Sequence, residues 1–383
     1  MIPLVEDTID KQDIDNLVAW LQTNPRLTKG DCTKQFEKKW AEYIGVKHSL
    51  YVSSGSTANL GIIYSLILSG KMKNKKVVVP AVSWSTTVAP VIQFGLEPIL
   101  CDASSDDLGL DINHLEKICK EEKPAAIMLV HVLGMPCNLE KIMSLCQEHD
   151  ILLIEDCCES IGSTYENKKI GSFGLVSSFS FYFGHHISTI EGGMICTDDE
   201  ELYNIMCAIR SHGWDRDLPE SKQKELRQTY GIDDFRALYT FYYPAFNLRA
   251  TDLQAFIGLR QMEKINDICF KRNKNFELYD SLIKNDYWKP NLSKKMWVSN
   301  HAYPVITPNI KELAAALKSA NVESRPLICG SIGKQPFWIK KYGETNLNFA
   351  DVIHDYGLYL PNNHQITKEQ IEFACNIVNF YTS

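Results

Sequence analysis

The sequence predicts an α/β fold in which a mostly parallel sheet is covered by helices on both faces. Two observations lead to this prediction. Short, almost continuously apolar runs recur along the first half of the 383-residue chain, and helical patterns separate them. Continuous apolar runs are typical of parallel strands that are buried on both faces. The predicted strands are residues 77–80, 98–102, 125–132, 151–156, 178–183 and 192–197.

The helices are predicted from the spacing of apolar residues. Between Ile14 and Leu21 these residues recur at i, i+3, i+4 and i+7, which predicts a helix over residues 8–23. A second helix with the same pattern ends at Gly45, a residue type common just after a helix. The same periodicity predicts crossover helices at residues 112–122 and 139–149.

We expect two domains, a large one over residues 1–255 and a smaller C-terminal α/β domain over residues 256–383. A long helical stretch at residues 251–283 leaves the large domain and enters the small one. The spacing around Gly192 and Gly193 is that of a hairpin. It predicts at least one antiparallel strand in the otherwise parallel sheet.

Composition and charge exclude several classes of protein. The net charge is -7, and acids and bases are dispersed without the basic stripe of a nucleic-acid-binding protein. The first residues lack the pattern of a signal peptide, and no apolar run approaches membrane-spanning length. The twelve cysteines are scattered and include no CxxC pair. We therefore expect reduced thiols, no metal site and a cytoplasmic location.

Three polar clusters fall outside the carboxyl ends of predicted strands, where ligands gather in such sheets. The turn 53-SSGSTANL-60 opens an apolar helix, so its N–H groups and hydroxyls could hold a phosphate or simply cap the helix. Glu155 and Asp156 end a buried strand. A carboxylate there could hold a cationic ring nitrogen, cap a helix or form a buried ion pair. Trp84 could pack in the core or stack on a planar cofactor.

These features occur together in the DegT/DnrJ/EryC1/StrS sugar aminotransferases, which the chain resembles over nearly its whole length. The resemblance implies the fold type I architecture of enzymes that use pyridoxal 5′-phosphate (PLP) and pyridoxamine 5′-phosphate (PMP). The matching stretches are IPLVEDTI, SSGSTANL, VPAVSWSTT, IEDCCES, KKIGSFGLVSSFSFY, EGGMICTDDEEL, FNLRATDLQAFIGLRQ and LYLPNNHQIT.

The resemblance also implies roles for individual residues. Asp156 would pair with the pyridinium nitrogen, and Trp84 would stack on the ring. Glu159 occupies a position near the ring 3′-oxygen where the family usually has Gln. Asn247 would reach the cofactor phosphate of a neighbouring subunit, which implies a homodimer with shared active sites. The phosphate itself would be held by Ser54, Gly55, Ser56 and Ser180.

The chain departs from the family pattern at the adjacent histidines His185 and His186. The family normally has, in place of His185, a Lys that forms an imine with PLP, and an imidazole cannot form one. A subgroup, the PLP-dependent sugar 3-dehydratases, carries this His-His turn. Membership would imply loss of the C3 hydroxyl from a nucleotide-linked 4-keto-6-deoxy sugar, with glutamate as amino donor and ammonia released. His185 would move the protons, since its ordinary pKa is about 6.5.

His186 is expected to support the turn rather than to act directly. Substrate contacts are expected at His212, Arg249 and Arg325, although both arginines could equally form ion pairs. Two other functions stay open: a sugar aminotransferase that uses a different Lys, and a PLP-binding protein without catalytic activity.

Overall fold

The structure, a computed structural model, describes residues 1–382 and confirms the α/β fold. The helices are α1 (Lys11–Leu21), α2 (Asp31–Ile44), α3 (Gly55–Leu68), α4 (Ser85–Gln93), α5 (Ile112–Glu122), α6 (Leu139–His149), α7 (Glu200–Arg210), α8 (Glu220–Tyr230), α9 (Asp234–Ala237), α10 (Asp252–Gln261), α11 (Ile265–Leu282), α12 (Ile310–Ser319), α13 (Pro336–Tyr342), α14 (Asn348–Tyr356) and α15 (Lys368–Thr382). The strands are β1 (His48–Val52), β2 (Lys76–Pro80), β3 (Glu97–Cys101), β4 (Ala126–Val130), β5 (Leu152–Asp156), β6 (Thr164–Tyr165), β7 (Lys168–Lys169), β8 (Val176–Ser180), β9 (Gly193–Thr197), β10 (Met296–Trp297), β11 (Tyr303–Ile306), β12 (Arg325–Pro326) and β13 (Gly357–Leu360).

The main sheet has seven strands in the order β1-β9-β8-β5-β4-β2-β3. Strand β9 is antiparallel to both of its neighbours, and the other pairs are parallel. The predicted antiparallel member is therefore confirmed. The central strands β4, β8 and β9 are buried along their whole length, as expected for a sheet covered on both faces.

Strand β5 lies between β4 and β8, and all three run in the same direction. Their carboxyl ends therefore meet at one edge of the sheet. Asp156 and Ser180, which are the last residues of β5 and β8, come to that edge. The first residues of α3 also lie there, because Gly193 of β9 packs against Ser54: a Cβ on Gly193 would meet the Ser54 backbone at 2.3 Å.

Two predicted elements differ clearly in extent from the observed ones, and one observed strand was not predicted. The strand predicted over residues 178–183 ends at Ser180, so its last three residues begin the turn instead. The long helical stretch is divided into α10 and α11. Strand β1 was not predicted, because a five-residue run beginning HS gives little periodic signal.

The C-terminal part is built on a three-stranded antiparallel sheet in the order β11-β13-β12. The start of the chain lies against it, since Ile2 forms a parallel bridge with Val322. The domain boundary at residue 255 stays a prediction. All twelve cysteines are free thiols, and none of the helices within residues 1–382 is long and apolar enough to cross a membrane.

Candidate active site

A cavity of about 380 Å³ opens at the carboxyl edge of the main sheet. Residues from the main sheet, the C-terminal sheet and the start of the chain line it together. Those that matter for its chemistry are Ser54, Gly55, Ser56, Asn59, Trp84, Asp156, Glu159, Ser180, His185, His301 and Arg325. Among the lining residues, all of which lie in the described part of the chain, there is no lysine.

The turn before α3 forms one wall of the cavity. Ser54 is the N-cap: its hydroxyl accepts a hydrogen bond from the N–H of Thr57 at 3.1 Å. The first N–H groups of a helix have no acceptor within the helix, and the helix dipole favours an anion beside them. Gly55 is required here, because a Cβ would lie 2.7 Å from Cβ of Ser180 and 2.8 Å from Sγ of Cys158. The turn is therefore suited to bind a phosphate, and phosphate binding there stays a prediction.

Asp156 is a buried carboxylate in the cavity wall, and three donors hold it in place. Its Oδ2 accepts hydrogen bonds from Asn59 Nδ2 and Thr87 Oγ1, each at 2.8 Å. Its Oδ1 accepts one from the N–H of Cys158 at 3.2 Å. Asn59 is fixed in turn by the hydroxyl of Ser178, which donates to its side-chain oxygen at 2.6 Å. A carboxylate held in this way is suited to stabilise a cationic ring nitrogen.

Glu155, the residue before Asp156, points away from the cavity because successive side chains on a strand face opposite sides. It accepts N–H bonds from Gly171, Phe173 and Gly174 at 3.0, 2.8 and 2.7 Å. His131 Nε2 lies 3.3 Å from its Oε2. Glu155 therefore forms a buried structural pair with His131, whereas Asp156 faces the cavity.

The side chains of His131, Glu155 and Cys157 come within 4.8 Å of one another. Two of the three are already bonded within the protein. His131 Nδ1 accepts the N–H of Cys137, so Nε2 carries the proton and donates it to Glu155. Both ring nitrogens of His131 are thus engaged by protein groups.

Glu159 lines the cavity, and its Oε2 accepts the N–H of Leu133 at 2.7 Å. Burial raises the pKa of Glu159 to about 7, and the charge of nearby Asp156 adds to this effect. The carboxyl group is thus substantially protonated at neutral pH. A protonated Glu has nearly the shape of Gln and donates a hydrogen bond as Gln does, which reconciles Glu159 with the family pattern.

Trp84 and Ser56 lie at the more open side of the cavity. Trp84 is 59% exposed and precedes α4, so it is free to cover a planar group rather than forming part of the core. Ser56 donates its hydroxyl hydrogen to Thr86 Oγ1 at 2.9 Å.

The two adjacent histidines face in different directions. His185 is half-buried in the cavity wall, whereas His186 is fully buried and its Nε2 lies 2.9 Å from the carbonyl oxygen of Ser299. Burial and the positive charge of Arg272 lower the pKa of His185 to about 4. At neutral pH His185 is therefore an uncharged base. The buried position of His186 and its contact with Ser299 support a structural role for this residue.

Two further residues were missed by sequence reasoning. His301 lines the cavity, and its ring centroid lies 5.3 Å from that of His185. Arg272 lies behind the histidines, 2% exposed. No local motif marks either residue, since each is more than 80 positions from His185 in the sequence.

The predicted substrate contacts divide into two places. Arg325 lines the cavity and donates to Glu323 at 3.1 Å. Arg249, His212 and Asn247 form a separate cluster outside the cavity. Arg249 Nε donates to Asn247 Oδ1 at 3.0 Å, and its Nη2 lies 3.3 Å from His212 Nε2. Within a single chain, this cluster does not meet His185.

Comparison with known proteins agrees with the geometry. The model of the DegT/DnrJ/EryC1/StrS aminotransferase family matches residues 7–379. A GDP-4-keto-6-deoxy-D-mannose 3-dehydratase from Yersinia pseudotuberculosis is 36% identical over 390 residues, covering 98% of each chain.

Two crystal structures of GDP-4-keto-6-deoxymannose 3-dehydratase are also similar, each at 32% sequence identity. One, with a trapped PLP–glutamate geminal diamine, has a TM-score of 0.90 over 99% of this chain and 100% of the other. The second is a His-to-Asn variant with bound GDP-perosamine, with a TM-score of 0.89 over the same shares. The chain belongs to the DegT/DnrJ/EryC1/StrS aminotransferase family.

Proposed function

We propose that this protein is a PLP-dependent sugar 3-dehydratase, which removes the C3 hydroxyl of a GDP-linked 4-keto-6-deoxy sugar related to mannose. The observation that carries this proposal is a cavity suited to PLP in which a neutral histidine, and no lysine among its described lining residues, is the available base. The relatives described above are GDP-4-keto-6-deoxymannose 3-dehydratases. The product would serve the synthesis of a deoxysugar for a surface polysaccharide, in the cytoplasm.

The cofactor would be held by the residues that the geometry groups around the cavity. The phosphate fits at the start of α3, against Ser54, Gly55, Ser56 and the hydroxyl of Ser180. Asp156 would bind the ring nitrogen, Trp84 would cover the ring face, and protonated Glu159 would donate to the 3′-oxygen. When bound, PLP supplies an electron sink for bonds broken next to its amine nitrogen.

His185 would carry out the proton transfers in both halves of the cycle. In the first, it would take the proton from Cα of glutamate and pass it across the amine nitrogen to the cofactor side, so that water can release 2-oxoglutarate while the amine stays with the cofactor. In the second, it would remove that proton again, and the C3 hydroxyl would depart. The imidazole is neutral at neutral pH and can accept each proton without prior deprotonation. Because no lysine amine can displace the product, water must release it, and nitrogen leaves as ammonia.

The direct test is incubation with PMP and a panel of GDP-, CDP- and dTDP-linked 4-keto-6-deoxy sugars. We expect ammonia release and a product that lacks the C3 hydroxyl, seen by mass spectrometry, with a preference for the GDP-linked mannose-type sugar. An aminated sugar formed without ammonia would identify an aminotransferase instead. Cofactor binding with no turnover of any sugar would identify a catalytically silent protein.

A second test concerns the bond between cofactor and protein. We expect borohydride reduction followed by denaturation to leave no cofactor on the polypeptide, because His185 replaces the usual lysine. A phosphopyridoxyl-lysine peptide would contradict this and favour the aminotransferase.

We further propose that the working unit is a homodimer with shared active sites. The segment before Asn247 carries exposed aromatic and aliphatic side chains, namely Tyr230, Phe235, Leu238, Tyr239 and Phe241. Such exposed apolar groups are typical of a protein contact surface. If Asn247 and Arg249 act in a neighbouring site, mixing an inactive His185→Asn variant with an inactive Asn247→Ala variant should restore activity. No recovery after subunit exchange would count against shared sites.

A further inference from the structure

The cavity contains a second histidine, His301, beside His185. The two rings are tilted by 45°, with centroids 5.3 Å apart. The two rings are not hydrogen-bonded to each other through Nδ1, since both Nδ1 atoms lack a partner in the described part of the chain, so a proton would pass between them through a bridging water. Both side chains line the cavity, so both can approach the same substrate.

The imidazole of His301 is not needed to hold its own loop. The loop is fixed by backbone contacts: the N–H of His301 donates to the carbonyl oxygen of Leu133 at 2.8 Å, and Arg272 Nη1 donates to the carbonyl oxygen of His301 at 2.8 Å. Asn300 Nδ2 donates to the same Leu133 oxygen at 2.8 Å. Within residues 1–382, Nδ1 of His301 has no hydrogen-bond partner although it is buried.

Burial keeps the two histidines uncharged, and the positive charge of Arg272 adds to this effect. Its guanidinium is buried and donates to the carbonyl oxygens of His301 and Asn362. It forms no ion pair with any carboxylate in the described part of the chain, so its positive charge is not neutralised locally. Burial and this charge lower the pKa of His185 to about 4, and burial, His185 and Arg272 lower that of His301 well below its usual range.

Other titratable groups face the pair as well. Asp156 and Glu159 lie on the strand side of the cavity, Arg325 comes from the C-terminal sheet, and His186 lies behind. Of these, only Asp156 favours the charged form of His185. The surroundings therefore disfavour the state in which His185 and His301 are both protonated. When only one of them is protonated, it readily gives its proton to the substrate.

We propose that His301 is a second catalytic histidine, which receives the proton collected by His185 and delivers it to the departing C3 hydroxyl. This inference rests on the proposed function. One C–H bond and one C–O bond break, and one O–H bond forms. The C–H electron pair stays in the conjugated system of the substrate, and the C–O pair leaves with the oxygen. The hydroxyl departs as water, and both imidazoles end neutral.

The test separates the two halves of the cycle in a His301→Asn variant. Ammonia release should fall by a factor on the order of a hundred, the usual scale for lost general acid–base help. Formation of 2-oxoglutarate from glutamate, which needs His185 alone, should fall far less and also shows that the variant is folded. Equal loss of both reactions, or of neither, would overturn the relay. His364→Asn is the matched control, since His364 is also near Arg272 but does not line the cavity.

A measurement on the protein without cofactor or substrate checks the electrostatics. In ¹⁵N NMR of histidine-labelled protein, His185 and His301 should stay neutral from pH 8 to pH 5. In Arg272→Met the pKa values of both should rise, so that protonation begins at a higher pH than in the wild type, whereas Arg272→Lys, which keeps a cation, should preserve the wild-type behaviour. An ordinary titration of His301 in the wild type would overturn the proposal. Failure of the wild type to release ammonia from any sugar would instead refute the proposed function.

Discussion

The two walls of the cavity differ in how completely their polar atoms are bonded. On the cofactor wall, formed by Ser54, Gly55, Asn59, Asp156 and Ser180, the Asp156 carboxylate accepts three hydrogen bonds, and its donor Asn59 is held by Ser178. The histidine wall is lined by His185 and His301, with His186 and Arg272 behind them, and each histidine has a buried Nδ1 without a partner among residues 1–382.

This difference corresponds to different tasks. A group that binds a fixed ligand gains from being held in one geometry before the ligand arrives. A group that carries protons has to change its bonding during the cycle, and an imidazole locked in one tautomer by neighbours cannot do so. The cofactor wall is therefore suited to binding and the histidine wall to proton transfer.

The largest expected effect on catalysis comes from substituting His185 in the histidine wall. His185→Asn should reduce both 2-oxoglutarate formation and ammonia release by a factor on the order of 10²–10⁴, because the base is lost. Cofactor affinity, measured by fluorescence titration, should change little, since the cofactor wall is intact. Near-normal ammonia release in this variant would show that another residue is the base.

A substitution in the cofactor wall should instead weaken cofactor binding. In Gly55→Ala the new Cβ would lie 2.7 Å from Cβ of Ser180, so the phosphate turn must shift. Overpacking of this kind costs about 1–3 kcal/mol, and where cofactor binding has to restore the turn this corresponds to roughly five- to hundredfold weaker binding. Gly61→Ala, in the same helix, is the control, because its Cβ would come no closer than 3.3 Å to another atom, the flexible tip of Ile195. Equal affinities for the two variants would contradict the assignment.

The protonation of Glu159 should make cofactor affinity depend on pH. Its pKa of about 7 means that the carboxyl group can donate a hydrogen bond below pH 7 and loses this ability as the pH rises through that value. Cofactor affinity of the wild type should therefore fall relative to Glu159→Gln above pH 7, by several-fold, the worth of one hydrogen bond. Below pH 6 the two proteins should bind alike. A constant ratio from pH 6 to pH 9 would show that Glu159 is ionised throughout.

The smallest effect on catalysis is expected for His186→Asn. His186 is fully buried and bonded to Ser299, so the substitution should lower the free energy of unfolding by about 1–3 kcal/mol through a lost buried contact. The turnover of the folded variant should stay within tenfold of wild type, measured by ammonia release. If His186→Asn abolished ammonia release and His185→Asn did not, the two roles would have to be exchanged.

The sequence by itself determined six of the seven strands of the main sheet, the small-residue turn before α3 and the position of Asp156 at a strand end. These features depend on local patterns: continuous apolar strands, small residues before a helix, and a carboxylate that follows a buried run. The replacement of the usual lysine by His185 was also visible in the sequence, because it falls inside a motif that otherwise resembles the family.

Only the tertiary structure decided what surrounds those residues. His301 and Arg272 reach His185 from distant segments, and no local pattern marks them. Burial, together with nearby charges, sets the pKa of Glu159 near 7 and that of His185 near 4. Desolvation and Coulomb interactions depend on distance in space rather than along the chain, and for that reason the protonation states of this site could be assigned only after folding was known.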